Sequence, residues 1–141
     1  MPGASKGVGF EVVKYFAANT EHLVVAVSRN IDSLTKLVHT RNTHSILPLR
    51  ADITKAKDRL KIFNTVKELK LPLDVLINNA GQIVNKPFEK INEKELMGVY
   101  ATNVFGPFAL VQGLLPVFDQ KRGAHVLNIS SMGGFQGSSK F

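Results

Sequence analysis

Along the 141 residues, apolar positions follow two alternating rhythms: helical repeats and short unbroken runs. Val8, Val12, Val13, Phe16 and Ala17 recur at helical spacing, with Glu11 and Lys14 between them, and predict a first helix. Leu23 to Val27 is a valine-rich run of the kind that makes a parallel strand covered on both faces. Leu34, Leu37 and Val38 predict a second helix, capped by Asp32 or Ser33. Ser45 to Ala51 is a weaker strand, because Pro48 argues against a central, fully hydrogen-bonded place. Thr54 is expected to cap a third helix with Leu60, Phe63, Val66 and Leu69 on its apolar side. Leu73 to Ile77 is another strand, which runs into the polar turn Asn78-Asn79-Ala80-Gly81. After a loop from Gln82 to Ile91 broken by Pro87, Asn92 and Glu95 form a capping pair for a long helix from Glu93 to about Phe118. Ala124 to Ile129 is the last strand. No repeat or low-complexity linker divides the chain, so residues 1–141 read as one α/β domain with a parallel sheet. In such a sheet a ligand sits beyond the carboxyl ends of the strands.

The first helix is entered through Gly3-x-x-x-Gly7-x-Gly9. Glycines let a turn take positive φ and let backbone approach a pyrophosphate, whose charge the free N–H groups of the following helix attract. An ordinary glycine-rich tight turn would look the same, so this motif needs support from the rest of the chain.

Composition narrows the picture. With 44% hydrophobic and 21% charged residues the chain reads as globular rather than disordered. It has no cysteine, which excludes a disulfide framework and a thiolate metal site and suggests a cytoplasmic compartment; no metal site is expected. No export signal is visible at the N-terminus. The longest apolar stretch, Val104 to Phe118, is shorter than the ~20 residues a spanning helix needs and is read as a buried helix, so no membrane partner is expected. The net charge of +7 is scattered rather than blocked, which argues against a dedicated nucleic-acid surface.

Several stretches then agree in order: the glycine turn, Asp52 after the third strand, Asn78-Asn79-Ala80-Gly81, Asn103 in the long helix, and Asn128-Ile129-Ser130-Ser131-x-x-Gly134. On these the chain resembles the short-chain dehydrogenase/reductase family over essentially its whole length. The resemblance implies a Rossmann-type doubly wound parallel sheet and hydride transfer between a nicotinamide cofactor and a small-molecule carbonyl or alcohol. It also implies a homo-oligomeric full-length form. By resemblance, Gly3, Ser5, Gly7, Val8 and Gly9 make the pyrophosphate turn, Asp52 and Ile53 hold the adenine, and Asn79, Ala80 and Gly81 pass beside the ribose. A strand-ending turn that only supports the sheet is the alternative for the last three. Ser131, three residues before a glycine, is matched to the serine that hydrogen-bonds the substrate oxygen, and strand alternation should turn Ser130 the other way. Asn103 resembles the helix asparagine that helps to hold a water of the proton relay. Pro107 has no N–H for the Asn103 carbonyl, so the helix should kink there and leave that oxygen free.

Charge argues for NADP(H) over NAD(H). A basic residue just past the second strand attracts a 2′-phosphate where an acidic one would repel it. Here the strand ends in Ser28 and Arg29, Lys6 lies in the glycine turn, and Asp32 is judged too far along the chain to substitute.

Two features of the family pattern are missing. The tyrosine and the lysine four residues later that pass the proton should follow the serine by a dozen residues or more, and no Tyr-x-x-x-Lys occurs; Tyr15 and Tyr100 lie in other motifs. None of His22, His39, His44 and His125 sits in a motif position. Only Met1 and Pro2 precede the glycine turn, where a first strand belongs, and Pro2 replaces the usual threonine. The chain therefore reads as the cofactor-binding part of a longer reductase cut at both ends, inactive alone. The alternative is a non-catalytic nucleotide-binding or scaffold protein that acts through a partner.

Overall fold

The computed structural model describes residues 1–41 and 45–133, so His44, Gly134 and Lys140 lie outside the described residues. The order is α1 (Gly7–Asn19), β1 (Val24–Ser28), α2 (Asp32–Arg41), β2 (Ile46–Arg50), α3 (Ala56–Glu68) and β3 (Val75–Asn78), followed by α4 (Glu93–Tyr100), α5 (Gly106–Leu114) and β4 (His125–Asn128). β1 pairs with β2 and β3 with β4, both in parallel. Apolar residues on the strands need cover, and the helices supply it for β1, β2 and β3, while every residue of β4 is exposed. Val13 of α1 and Leu34 and Leu37 of α2 pack with Ala26 and Ile46. Ile62 and Val66 of α3 and Leu110 and Leu114 of α5 pack with Val27, Leu49 and Leu76.

Between the two strand pairs, the first residues of the chain stand where a further strand would lie. Pro2 bridges Val27 in parallel. The Val27 N–H donates to the Met1 carbonyl at 2.8 Å, and the Ala4 N–H donates to the Val27 carbonyl at 3.2 Å. On the other side, Asn79 Nδ2 donates to the Gly3 carbonyl at 2.8 Å.

Several expectations are corrected. Both Asp32 and Ser33 lie inside α2; Asn30 Oδ1 accepts the Asp32 N–H at 2.8 Å, and the Ser33 hydroxyl donates to the Ser5 carbonyl. Thr54 does not cap α3, because its hydroxyl donates to Asp52 Oδ1 and the residue at the cap is Lys55. Leu60 is exposed and Ile62, passed over by the helical count, is buried. The expectation for Pro48 holds: among the described residues β2 pairs only with β1, and Pro48, opposite Ala26, turns its missing N–H away from that ladder.

The capping box at Asn92 and Glu95 forms in both directions. The long helix it starts is interrupted. Residues Ala101–Phe105 form a π-helical turn in which the Gly106 N–H reaches the Ala101 carbonyl. Such a turn places one extra residue just before Pro107, which cannot continue the regular ladder. The stretch from Val104 to Phe118 is buried on one face only, through Gly106, Leu110 and Leu114, while Val104, Phe105, Phe108 and Leu115 are exposed. Among the described residues no helix is long and apolar enough to cross a membrane.

The Met1 ammonium donates to the Val25 carbonyl at 2.7 Å, and burial lowers its pKa from 8.0 to about 5. Between pH 5 and pH 8 the unfolded chain therefore holds a proton that the folded chain has released. Stability is full above the unfolded value and is lost as pH falls through the folded one. For the 141-residue chain, urea unfolding should show stability rising by roughly a few kcal/mol from pH 5 to pH 8. Acetylating Met1 should flatten that slope; equal slopes with and without the acetyl group would refute it.

Candidate functional site

A groove of about 740 Å³ opens beyond the carboxyl ends of the strands, and the residues that follow β1, β2 and β3 line it. Its floor is the turn into α1. Gly3 and Gly7 take φ of +75° and +55°, in the left-handed region that favours glycine. A Cβ at Gly3 would lie 2.7 Å from the Ala80 backbone nitrogen, so the turn and the Asn79-Ala80-Gly81 segment meet backbone to backbone. Ser28 Oγ donates to Ser5 Oγ at 2.7 Å and Ser33 Oγ to the Ser5 carbonyl at 2.7 Å, which ties the turn to the end of β1 and the start of α2.

The start of α1 is left open. Lys6, in the cap position, is extended and makes no side-chain cap, and the first turn holds no acid. By contrast α2, α3 and α4 each carry an acid there. Free N–H groups and the positive end of a helix thus face the groove without an internal anion, as an anion cradle requires.

Lys6, Ser28 and Arg29 line the same groove, as do Asp52, Ile53, Asn79, Ala80 and Gly81. Asp52 is held by the Thr54 N–H and hydroxyl. Burial pushes its carboxyl up, but these hydrogen bonds and the charges of Arg29 and Lys55 outweigh burial and leave it below its ordinary value. The Asp52 N–H donates to Asp58 Oδ2 at 2.8 Å, which fixes the backbone beside Ile53. Gly106 of α5 leaves room for Ile53: a Cβ there would approach Ile53 Cδ1 to 2.9 Å.

Four expected residues do not line the groove. Gly9 lies beneath it, Val8 faces outward at 61% exposure, Asn103 sits just behind the lining residue Gly81, and Ser131 is not among the lining residues. Asn103 instead clamps the chain after Gly81. Its Oδ1 accepts the Gln82 N–H and its Nδ2 donates to the Gln82 carbonyl, both at 2.8 Å. Ser131 accepts the Gly133 N–H at 3.2 Å. β4 stops at Asn128, so strand alternation does not reach the two serines and cannot tell them apart.

The groove also contains residues that sequence reasoning passed over. Asn30, Asp32, Ser33 and Thr102 line it, and Asp32 shares a wall with Arg29, so its distance along the chain does not remove it from the site. The signal was present in the cap region of α2, where residues after a parallel strand turn back over its end. Among the described residues no cluster of potential ligands could hold a metal ion.

Comparison with known proteins agrees with this geometry. The family model described as short chain dehydrogenase matches residues 1–141. An NADP-dependent 3-hydroxy acid dehydrogenase of Schizosaccharomyces pombe is 29% identical over 140 residues, covering 94% of this chain and 52% of that protein. A short-chain dehydrogenase from Streptomyces avermitilis superposes with a TM-score of 0.88 at 30% identity, over 99% of this chain and 51% of that one. The NADPH-bound carbonyl reductase from chicken fatty liver gives a TM-score of 0.85 at 27% identity, over 94% of this chain and 58% of that one. The chain thus spans about half the length of the curated relatives it matches. A glycine turn opening into an uncapped helix at the carboxyl edge of a doubly wound parallel sheet, and a family match from first residue to last, lead to one assignment: the chain belongs to the short-chain dehydrogenases.

Proposed function

We propose that the groove holds a nicotinamide dinucleotide, NADP(H) in preference to NAD(H), and that the protein takes part in oxidoreduction of a carbonyl or alcohol substrate. The observation that carries this is the open start of α1 over Gly3 and Gly7. The residues fit the group, since the cradle would be filled by a Cβ at Gly3 and no acid competes with a phosphate there. Gly3, Ser5 and Gly7 would hold the pyrophosphate, Asp52 and Ile53 the adenine, and Asn79 to Gly81 the ribose. When bound, the nicotinamide supplies the hydride chemistry.

Arg29 and Lys6 on the groove wall support the 2′-phosphate preference, as do the cofactors named for the fission yeast and chicken relatives. Asp32 on the same wall opposes it, and Asp52, which also lines the groove, feels the charge of Arg29 as well, so the preference rests on Arg29 and Lys6 reaching the phosphate directly. Charge-assisted hydrogen bonds contribute roughly 1.5–3 kcal/mol each, enough for a preference of tenfold or more. Titration of NADPH and NADH should show this preference, and Arg29→Asp should erase or reverse it. Equal affinities in the unsubstituted protein would defeat the proposal.

Asn103 acts here as a positioning residue, holding the Gln82 backbone next to the ribose turn, and is also proposed to support a water of the proton relay. Ser131 is proposed to hydrogen-bond the reacting oxygen. In a protein that turns over, Ser131→Ala should lower kcat far more than cofactor affinity while Ser130→Ala changes little; exchanged effects would move the assignment by one residue. A second reading is favoured by one observation, the absence of any Tyr-x-x-x-Lys from the 141 residues: a nucleotide-binding or scaffold protein without catalysis. The coding sequence after Phe141 separates the two, since an in-frame Tyr-x-x-x-Lys supports the enzyme and a stop codon the scaffold.

A further inference from the structure

We propose that Gly106 is a positioning residue for the base of the dinucleotide, because its missing side chain decides how far Ile53 stands into the groove. This rests on the dinucleotide reading of the groove and adds to it a residue of α5 that is not itself part of the lining. Ile53 carries the argument, since it belongs to both the groove and the core. It is 5% exposed and lines the groove with an edge, while the rest of it packs in the cluster that holds Ile62, Val66 and Leu110.

The backbone around Ile53 is held from α3. Asp58 Oδ2 accepts the Asp52 N–H and Arg59 Nη1 donates to the Ile53 carbonyl, both at 2.8 Å, so the chain is tied just before and just after this side chain. On the α5 side Ile53 meets Gly106, where a Cβ would lie 2.9 Å from Ile53 Cδ1 and 3.0 Å from its Cγ1. Turning the outer torsion of Ile53 would move Cδ1 alone. Moving Cγ1 takes the inner torsion, which in a β-branched side chain has few low-energy settings.

α5 is not free to withdraw. Leu110 and Leu114 anchor it in the same core, and Gly113 lets it lie so close to Phe63 of α3 that a Cβ there would come 2.2 Å from Phe63 Cζ; a retreat would open these contacts. At its start the helix is joined to the π-helical turn by the bond from the Gly106 N–H to the Ala101 carbonyl, and Thr102 of that turn lines the groove. A close-packed interior passes a displacement on rather than absorbing it. The open side of Ile53 is the groove, so a methyl group at position 106 would tip Ile53 into the space of the base. A pyrophosphate held by backbone N–H groups at the glycine turn would not feel that change.

The test titrates the 141-residue chain and its variants with NADPH, adenosine 5′-monophosphate and inorganic pyrophosphate. Gly106→Ala should weaken NADPH and the adenosine monophosphate by the same factor, roughly tenfold, and leave pyrophosphate unchanged. Adding Ile53→Val, which removes the Cδ1 that the new methyl meets, should restore most of the lost affinity for the monophosphate. Gly113→Ala strains the same helix against Phe63 away from the groove, and should lower Tm without changing the affinity for the monophosphate. If Gly106→Ala alone does not fold, the double variant must fold and bind the monophosphate within about threefold of Ile53→Val. Three results would overturn the proposal: unchanged affinity of Gly106→Ala for the monophosphate, an equal loss for pyrophosphate, or no rescue by Ile53→Val. Each of these leaves the dinucleotide reading standing. Binding of pyrophosphate but of neither nucleotide by the unsubstituted chain would instead overturn that reading and this proposal together.

Discussion

Gly9→Ala is expected to abolish dinucleotide binding and to destabilise the fold by ~2–4 kcal/mol. The added Cβ would lie 2.2 Å from the Gly3 carbonyl oxygen and 2.4 Å from Asn79 Nδ2. Those two atoms are hydrogen-bonded to each other, and their bond joins the glycine turn to the end of β3. Neither is the free tip of a flexible side chain: one is backbone and the other an amide whose partner would be lost. The turn must therefore open, Gly3 must leave Ala80, and the cradle at the start of α1 loses its shape. Gly7→Ala is the comparison for stability alone, because its Cβ would meet no protein atom and the folding cost is confined to a φ of +55°, while its binding should also suffer because the added Cβ enters the groove. Urea midpoints and NADPH fluorescence titrations of both variants check the claim. Gly9→Ala binding NADPH as tightly as the unsubstituted protein would show that Gly9 does not shape the site.

The second large effect concerns turnover. The 141-residue chain alone is expected to reduce no aldehyde or ketone above background, because it holds no Tyr-x-x-x-Lys to pass a proton. A positioned acid–base group contributes ~10²–10⁴-fold to rate. Ser131 offers no substitute, since an unassisted hydroxyl is a weak acid near neutral pH and the contact seen for its oxygen is the N–H of Gly133. Orientation is lost as well, for Ser131 is exposed and none of the described groove residues comes from β4. NADPH oxidation with a panel of carbonyl substrates, using protein of verified mass free of host reductases, measures this. Sustained turnover would mean that another residue supplies the proton.

The sequence by itself determined the element order, the parallel pairing of the strands and most of the lining of the groove. Those features rest on local signals: a valine-rich run for β1, a short apolar run for β3, the Asn92 and Glu95 pair, and glycines where a turn needs positive φ. The groove residues were legible because in a parallel sheet every residue that follows a strand emerges on the same side. Asp52, Asn79 and Arg29 therefore converge without any knowledge of packing.

Tertiary structure alone decided what depends on neighbours distant in sequence. Thr54 carries the composition of a cap, but Asp52 takes its hydroxyl. Leu60 fits a helical count, but Ile62 and Val66 face the core. Pro48 argued against a central strand, but only the packed sheet shows that β2 pairs on one side alone, with the proline's missing N–H turned away from β1. Pro107 announced a defect in the long helix, but not that Ala101 would receive the Gly106 N–H in a π-turn. The sequence did not show that the Asn103 amide grips the Gln82 backbone. Hydrogen-bond partners are chosen by which unsatisfied group lies within reach once the layers have packed, and that distance is written in no single stretch of the chain.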